Sequence, residues 1–532
     1  MNKQDWEEEA RKRIRLAYAP ELVKAAGQRL AERLAEHLAD LYAQQKRVLN
    51  WQTPEEKTAL AAAMLRQAEQ AVGRGRLTEQ AVVCNASDDS DSFAEINRPD
   101  ELLKLLTERF DELVQVALEH GLNLHDPRYI GHQVPASVPV AGLFDAVGSV
   151  TNQVMAVYEM GPWATAVERA LVDRLGEQIG WKPDSFAGMV THGGSLANLT
   201  ALLTARNVAL KQVWETGLES SSASPVLVVH SDVHYSIARA AGVLGIGTRN
   251  VVPVGLDQKR RMRPDLLDQT LTQLEQQGRR PIAVAACACS TPIGAFDPLE
   301  EIADVCQRHR VWLHVDAAHG GSACFSRRFR HLVAGLDQAD SIVWDAHKML
   351  FMPALCAFVL YKNKEHRFEA FRQNAPYLFD PAAPGIADYD SGLKTLECTK
   401  RAAAFGLWGV WCLFGPQLLA DLVDVTFTLG RRFYELLQEA PDFQPLHEPQ
   451  CNIVVFRHVP KPLNDADPQT LGQFQLKLRR AVIESGSFYI VPIKLNGQGA
   501  LRVTIINPLT TEAQLAELLE ELRRQAHRLL HS

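Results

Sequence analysis

The chain has 532 residues, 46% of them hydrophobic and 22% charged, with a formal net charge of −7. That length exceeds one compact core and implies roughly two or three domains, and so mild a charge gives no reason to expect nucleic-acid or acidic-membrane partners. The charged start MNKQDWEEEARKRIR lacks a signal peptide's apolar core, and with no apolar run of about 18 residues a soluble protein without a membrane partner is expected. Nine cysteines, odd in number and without framework spacing, suit reduced thiols in a cytoplasmic setting.

Residues 1–120 read as a helical N-terminal segment. Leu30, Leu34 and Leu38 recur at a helical period with Ala31 and Ala35. A further helix is expected after Thr53, a cap residue, with Pro54 at its first position. The acidic stretch NASDDSDSFAEINRPD reads as an exposed loop. The segment shows no core of its own, so packing on another subunit is expected.

Residues 121–400 alternate apolar strands with helices and read as a large α/β domain. Strands are expected in FAGMVTHGG and at 225–230, 250–254, 282–289, 311–317 and 341–344. The helix SLANLTALLTARNVAL follows the first. Another is expected after Asp297 as N-cap, with Pro298 first and Leu299, Ile302, Ala303 and Cys306 on one face. Continuous apolar strands between such helices imply a mainly parallel sheet covered on both faces. Residues 362–394 are too rich in Pro, Gly and Asp for a regular element. Residues 401–532 read as a small C-terminal α+β domain. It comprises an apolar helix, the strand NIVVFRHV, a hairpin turning at Asn496-Gly497, and a last helix begun by a Thr511/Gln514 capping pair.

The chemistry concentrates between Val311 and Lys348. VWLHVDAAHGG ends its strand on Asp316, and ADSIVWDAHKML leads to His347 and Lys348. Carboxyl ends of parallel strands are where ligands sit. A lysine at an apolar strand end loses its proton readily and attacks carbonyls, and a buried acid needs a cation to face. Pyridoxal 5'-phosphate needs both partners, a Schiff-base lysine and an acid at its ring nitrogen. Gly193, Gly194 and Ser195 lie in a strand–turn–helix, where close backbone approach and free N–H groups suit a phosphate. His234 follows another strand end and could stack on a planar ring, although a lone histidine is more often structural. No metal is expected. The spacing of His314, His319, Cys287 and Cys289 matches no usual zinc pattern, and His314 is expected to point away from Asp316 along the strand.

HVDAAHGG, DAHK, THGGSLANL and ACSTPIGAFDPLEEIADVC together resemble the PLP-dependent group II amino-acid decarboxylases, which include glutamate, cysteine-sulfinate, 2,4-diaminobutyrate and aromatic-amino-acid decarboxylases. The similarity runs from about His125 to Pro508. It implies the aspartate-aminotransferase-like fold, fold type I, and a homodimer with active sites at the interface, interlocked by the N-terminal helices. By the same resemblance Lys348 is the Schiff-base lysine and Asp316 the partner of the ring nitrogen. Ala318 lies against the ring, His234 stacks on its face, and Gly194, Ser195, Thr291 and His347 complete the cofactor site. Tyr377 matches the tyrosine of the family's mobile catalytic loop, which protonates the carbanion.

The chain departs from the family at several points. Cys289 and Ser290 replace a glycine and a threonine, and Asp345 replaces the Asn two residues before His347. Lys400 replaces an Arg that meets the substrate carboxylate, with Arg401 beside it. The expected activity is α-decarboxylation of an L-amino acid to an amine and carbon dioxide. A small polar or acidic substrate is favoured, contacted by Gln133, Lys400 and Arg401, with 2,4-diaminobutyrate open. Another fold type I carbon–carbon lyase, an aminotransferase and a catalytically silent relative are the alternatives.

Overall fold

The computed structural model describes residues 3–73, 99–218, 224–371 and 388–531. The chain divides into two compact units, one of Met1–Arg128 with Ala481–Tyr489 and one of Tyr129–Arg480 with Ile490–Ser532.

Among its described residues the first unit contains the helices α1 (Lys3–Ala17), α2 (Pro20–Tyr42), α3 (Pro54–Gly73) and α4 (Pro99–His120). The expected Leu30/Leu34/Leu38 face of α2 is half-buried, and Arg33 crosses to α4 to grip Asp111 with two bonds of 2.7 Å. Thr53 and Glu56 cap α3 reciprocally, Thr53 N donating to Glu56 Oε2 at 2.8 Å and Glu56 N to Thr53 Oγ1 at 3.2 Å.

The second unit is built on a seven-stranded sheet. Its strands are β1 (Ala187–Thr191), β2 (Ser224–His230), β3 (Val251–Val254), β4 (Arg279–Cys287), β5 (Trp312–Asp316), β6 (Ser341–Asp345) and β7 (Ala357–Tyr361). The spatial order is β1-β7-β6-β5-β4-β2-β3. Only β7 runs against its neighbours, β6 and β1, so the sheet is mainly parallel. The sequence expectation omitted β7, because its short run AFVLY follows β6 without an intervening helix. Helix α7 (Gly194–Ala209) packs on this sheet through Ala197, Ala201, Leu202 and Ala205, against Met189, Val229, Val343 and Val359. Burying each large aliphatic side chain contributes about 1.5–3 kcal/mol.

One cap differs from expectation. Helix α9 (Leu299–His309) starts without a side-chain cap, because Asp297 instead accepts from Met262 N at 2.6 Å and Cys287 N at 2.8 Å. Its carboxylate ties the end of β4 to a neighbouring loop, so two buried backbone donors claim it ahead of its own helix.

Residues 402–480 and 490–532 belong to the same compact unit as the sheet. They form an antiparallel sheet of order β8-β9-β11-β10, with β8 Phe443–Pro445, β9 Ile453–His458, β10 Val491–Leu495 and β11 Gln498–Thr504. Asn496 and Gly497 both take positive φ (52° and 77°), as a two-residue hairpin turn of the primed type demands. Helix α10 (Phe405–Glu439) is the one described helix long and apolar enough to cross a membrane by length and composition. It is broken at Gly415 and followed there by Pro416, and Leu419, Val423, Phe427 and Phe433 bury its inner face. Helix α11 (Glu512–His531) has the expected start, with Thr511 N donating to Gln514 Oε1 at 2.9 Å.

Candidate active site

The carboxyl ends of β1, β4, β5 and β6 open on a cavity of about 330 Å³. At one end stands Asp316, the last residue of β5. Its Oδ2 accepts from Asn198 Nδ2 at 3.0 Å and its Oδ1 from Ala318 N at 3.2 Å. The same Asn198 Nδ2 reaches Ser236 Oγ at 2.9 Å, and Ser236 Oγ lies 2.8 Å from His234 Nδ1. His234 caps helix α8 (Tyr235–Val243) by accepting from Ser236 N. Its Nδ1 is therefore an acceptor, and the ring proton of the neutral form sits on Nε2. Burial lowers the His234 pKa against the pull of Asp316, which favours that neutral form.

His314 joins this network. Its Nε2 is 2.9 Å from Asn198 Oδ1, and its Nδ1 is 2.9 Å from Ser341 Oγ. The expectation that it points away from Asp316 is wrong, because residues two apart on a strand share a face. Burial pushes its pKa down to about 4, so it is a neutral donor to Asn198. Asn198 thus links both expected site residues, Asp316 and His234.

At the other end is Lys348, which leads out of β6. Its Nζ lies 3.1 Å from Asp345 Oδ2. Burial acts to lower the lysine's pKa, but Asp345 and Asp316 outweigh it and the net shift is upward. His347 Nδ1 is 2.7 Å from Cys356 O, and its Nε2 is 3.5 Å from Asp345 Oδ2. The glycine turn closes this end. Gly193 has φ +100°, and a Cβ at residue 194 would lie only 2.7 Å from Asp345 Oδ2. Both positions therefore require glycine, and the N-terminus of α7 is brought against the cavity.

The family model described as pyridoxal-dependent decarboxylase conserved domain matches residues 94–459. The acidic amino acid decarboxylase GADL1 of mouse (Mus musculus) is 31% identical over 465 residues, covering 84% of this chain and 84% of that protein. The human protein (Homo sapiens) of that name is equally similar over 88% of its length. Among solved structures, mouse CSAD superposes with a TM-score of 0.80 at 27% identity, covering 95% of this chain and 99% of that one.

The chain belongs to the pyridoxal-dependent decarboxylase family. It is a PLP-dependent amino-acid decarboxylase of fold type I. The donor set of the cavity fits the cofactor, with an amine at one end, a hydrogen-bonded buried carboxylate at the other and a glycine cradle beside the amine.

Of the residues expected in the decarboxylase site, Gln133, Gly194, Ser195, His234, Thr291, Asp316, Ala318, His347 and Lys348 all line the cavity. Cys289, where the family has a glycine, lines it with φ +79°, so the backbone conformation that explains a glycine there is kept. Tyr377 lies outside the described residues. Lys400 and Arg401 are not brought to the cavity lining. The Lys400 ammonium is buried against Glu168, at 2.6 and 2.8 Å, and Val190 O, while the exposed Arg401 reaches Ser149 Oγ at 3.1 Å.

A different buried cation, also outside that lining, acts on it through its charge. Arg502 of β11 is buried, and burial lowers its pKa to about 10. It donates to Thr504 Oγ1 at 3.2 Å, and its buried Nε has no partner among the described residues. Its charge acts on Cys289 and His319, which line the cavity, and on His132 beside Gln133. Sequence reading passed over Asn198 and Arg502. Asn198 lies inside the motif THGGSLANL, which was the available signal; Arg502 interrupts the apolar strand ALRVTII.

Proposed function

We propose that this decarboxylase acts on an L-amino acid with an acidic side chain, with Arg502 as the cation that the side chain meets. The observation carrying this reading is a buried, partly unpartnered guanidinium whose charge reaches the residues lining the cavity. A buried guanidinium costs free energy unless an anion compensates it, and its fork geometry suits a carboxylate. That the GADL1 relatives are named acidic amino acid decarboxylases agrees with it. Lys400, occupied by Glu168, leaves the substrate site in this reading, and so does Arg401. Gln133 remains a contact.

Pyridoxal phosphate, when bound, supplies the electron-withdrawing ring that takes up the electron pair released as the α-carboxylate departs as carbon dioxide. Lys348 would hold the cofactor at its aldehyde carbon, for which its amine must be uncharged. Asp316 keeps the ring nitrogen protonated, and Asn198 fixes the orientation of that carboxylate. His234 and Ala318, which both line the cavity, would hold the ring between them, as the family resemblance implies. Gly194 and Ser195 offer α7 N–H groups to the phosphate, with Thr291 and His347 beside them. Tyr377 is the proposed proton donor to the α-carbon, on resemblance alone.

We also propose a homodimer in the cytoplasm. Leu143, Val147 and Val150 of helix α5 (Pro139–Val150), Trp163 of helix α6 (Pro162–Ile179), and Leu413 and Phe414 of α10 are large apolar side chains that remain exposed, which suits cover by a second copy. Among the described residues eight cysteines are free thiols, in keeping with a reducing compartment. Carbon dioxide release should be measured across acidic, basic, small polar and aromatic amino acids with saturating cofactor. Preference for acidic substrates, lost in Arg502→Met, is expected; preference for aromatic ones would sink the substrate assignment. Light scattering of the purified chain decides the dimer.

A further inference from the structure

Asp345 is an acidic residue of the cavity that the reaction above does not use. It ends β6 almost fully buried, and its two oxygens have different surroundings. Oδ2 meets the Lys348 ammonium at 3.1 Å and stands 3.5 Å from His347 Nε2. Oδ1 has no hydrogen-bond partner among the described residues. Both oxygens press on the first residue of α7, at 2.7 and 2.8 Å from where a Cβ of residue 194 would lie. A carboxylate is thus fixed at the N-terminus of a 16-residue helix, where the dipole and free N–H groups otherwise favour an incoming anion.

We propose that Asp345 is a positioning residue that weakens the grip on the cofactor's phosphate, so that this protein discriminates less between phosphorylated and unphosphorylated pyridoxal than its isosteric Asn variant. The inference rests on the glycine turn being the phosphate cradle. A phosphate there shares the helix N-terminus and the charge of Lys348 with a second anion that cannot retreat into water. Like charges in so confined a site repel strongly. Asn keeps the shape, removes the charge and adds an N–H donor that the orphaned oxygen position cannot supply.

Equilibrium binding of pyridoxal phosphate and of pyridoxal to the full chain, followed by absorbance, tests this through the ratio of the two affinities. Effects of Asp345 on Lys348 apply to both ligands and cancel in the ratio. Asp345→Asn should raise the preference for the phosphorylated form by about tenfold or more, equivalent to about 1.4 kcal/mol. Asp345→Ser, which also removes the charge, should raise it in the same direction, and thermal unfolding without ligand shows that either variant is folded. A ratio unchanged within about threefold in both folded variants overturns the role of Asp345 while leaving the cradle in place. Equal affinity for the two ligands in the unmutated protein and in both folded variants overturns the cradle itself, and the proposal with it.

Discussion

Asp316 and Asp345 end neighbouring parallel strands, face one cavity and are both buried, yet they are treated differently. Asp316 has both oxygens accepting hydrogen bonds, from Asn198 and from the Ala318 backbone. Asp345 has a cation on one oxygen and no hydrogen bond on the other. A fully bonded carboxylate is held in one orientation at no large desolvation cost, whereas a half-bonded one leaves a buried acceptor that costs about 1–3 kcal/mol. The acid end of the site is preorganised and the amine end holds uncompensated polarity. The same pair of strands therefore builds a rigid electrostatic anchor and a reactive, charge-sensitive capture site.

The largest effects should separate those ends. Lys348→Ala is expected to abolish both carbon dioxide release and the visible absorbance gained on adding pyridoxal phosphate. Asp316→Ala should keep that absorbance and lower turnover by about 10²–10⁴-fold, the range for a positioned catalytic group. Equal loss of cofactor capture in the two variants would erase the division of labour. Absorbance titration beside steady-state rates measures both.

Two buried cations sharpen the comparison next. Lys400→Met strands Glu168 without its ammonium, and removing one member of a buried pair costs about 3–5 kcal/mol. Denaturant unfolding should show that loss, with KM for an acidic substrate little changed in the protein that remains folded. Arg502→Met should do the reverse, raising KM by about tenfold or more, equivalent to at least about 1.4 kcal/mol. A KM effect on Lys400→Met as large as that on Arg502→Met would return the substrate carboxylate to the position the sequence suggested.

The amine end also has a pH signature. The Lys348 pKa is raised, Asp345 and Asp316 outweighing burial, so the neutral amine is scarce at neutral pH and grows with pH. The rate of cofactor capture should therefore climb by roughly tenfold per unit below that pKa. Asp345→Asn removes one of the charges that raise it and should make capture faster at pH 7. Stopped-flow absorbance between pH 6 and 9 measures this; a flat profile in the unmutated protein would mean that the charge on Lys348 does not limit capture.

What could be read from the sequence follows the same line. Lys348, Asp316 and the glycine turn were legible because each interrupts an apolar strand at its carboxyl end, a local signal. Asn198 was not, since its partners lie 38, 116 and 118 residues away and within a helix it reads as one more polar residue. Lys400 is assigned to substrate on the resemblance, as the counterpart of a carboxylate-binding Arg, and its true partner Glu168, 232 residues distant, leaves no local signal to correct that. His314 was turned the wrong way through a slip in the strand period. The strands of the large sheet and its mainly parallel character were legible, except β7, whose antiparallel entry leaves no helix to announce it.

The smallest predicted effect concerns Cys289, the residue that stands for the family's glycine beside the cavity. Its φ of +79° is one that a side chain resists, at a cost of roughly 1–2 kcal/mol for an L-residue. Against that cost, the thiol is buried 3.6 Å from Cys451 Sγ, a contact that glycine would forfeit. The two terms nearly cancel, so Cys289→Gly should move stability by no more than about 1 kcal/mol in denaturant unfolding. A loss above about 2 kcal/mol, beyond the typical cost of deleting so small a buried group, would show that thiol packing holds the Ser290–Thr291 turn. The amine end would then owe its shape to side-chain contacts, as the acid end does, and the contrast between the two would narrow to the bonding of Asp345 alone.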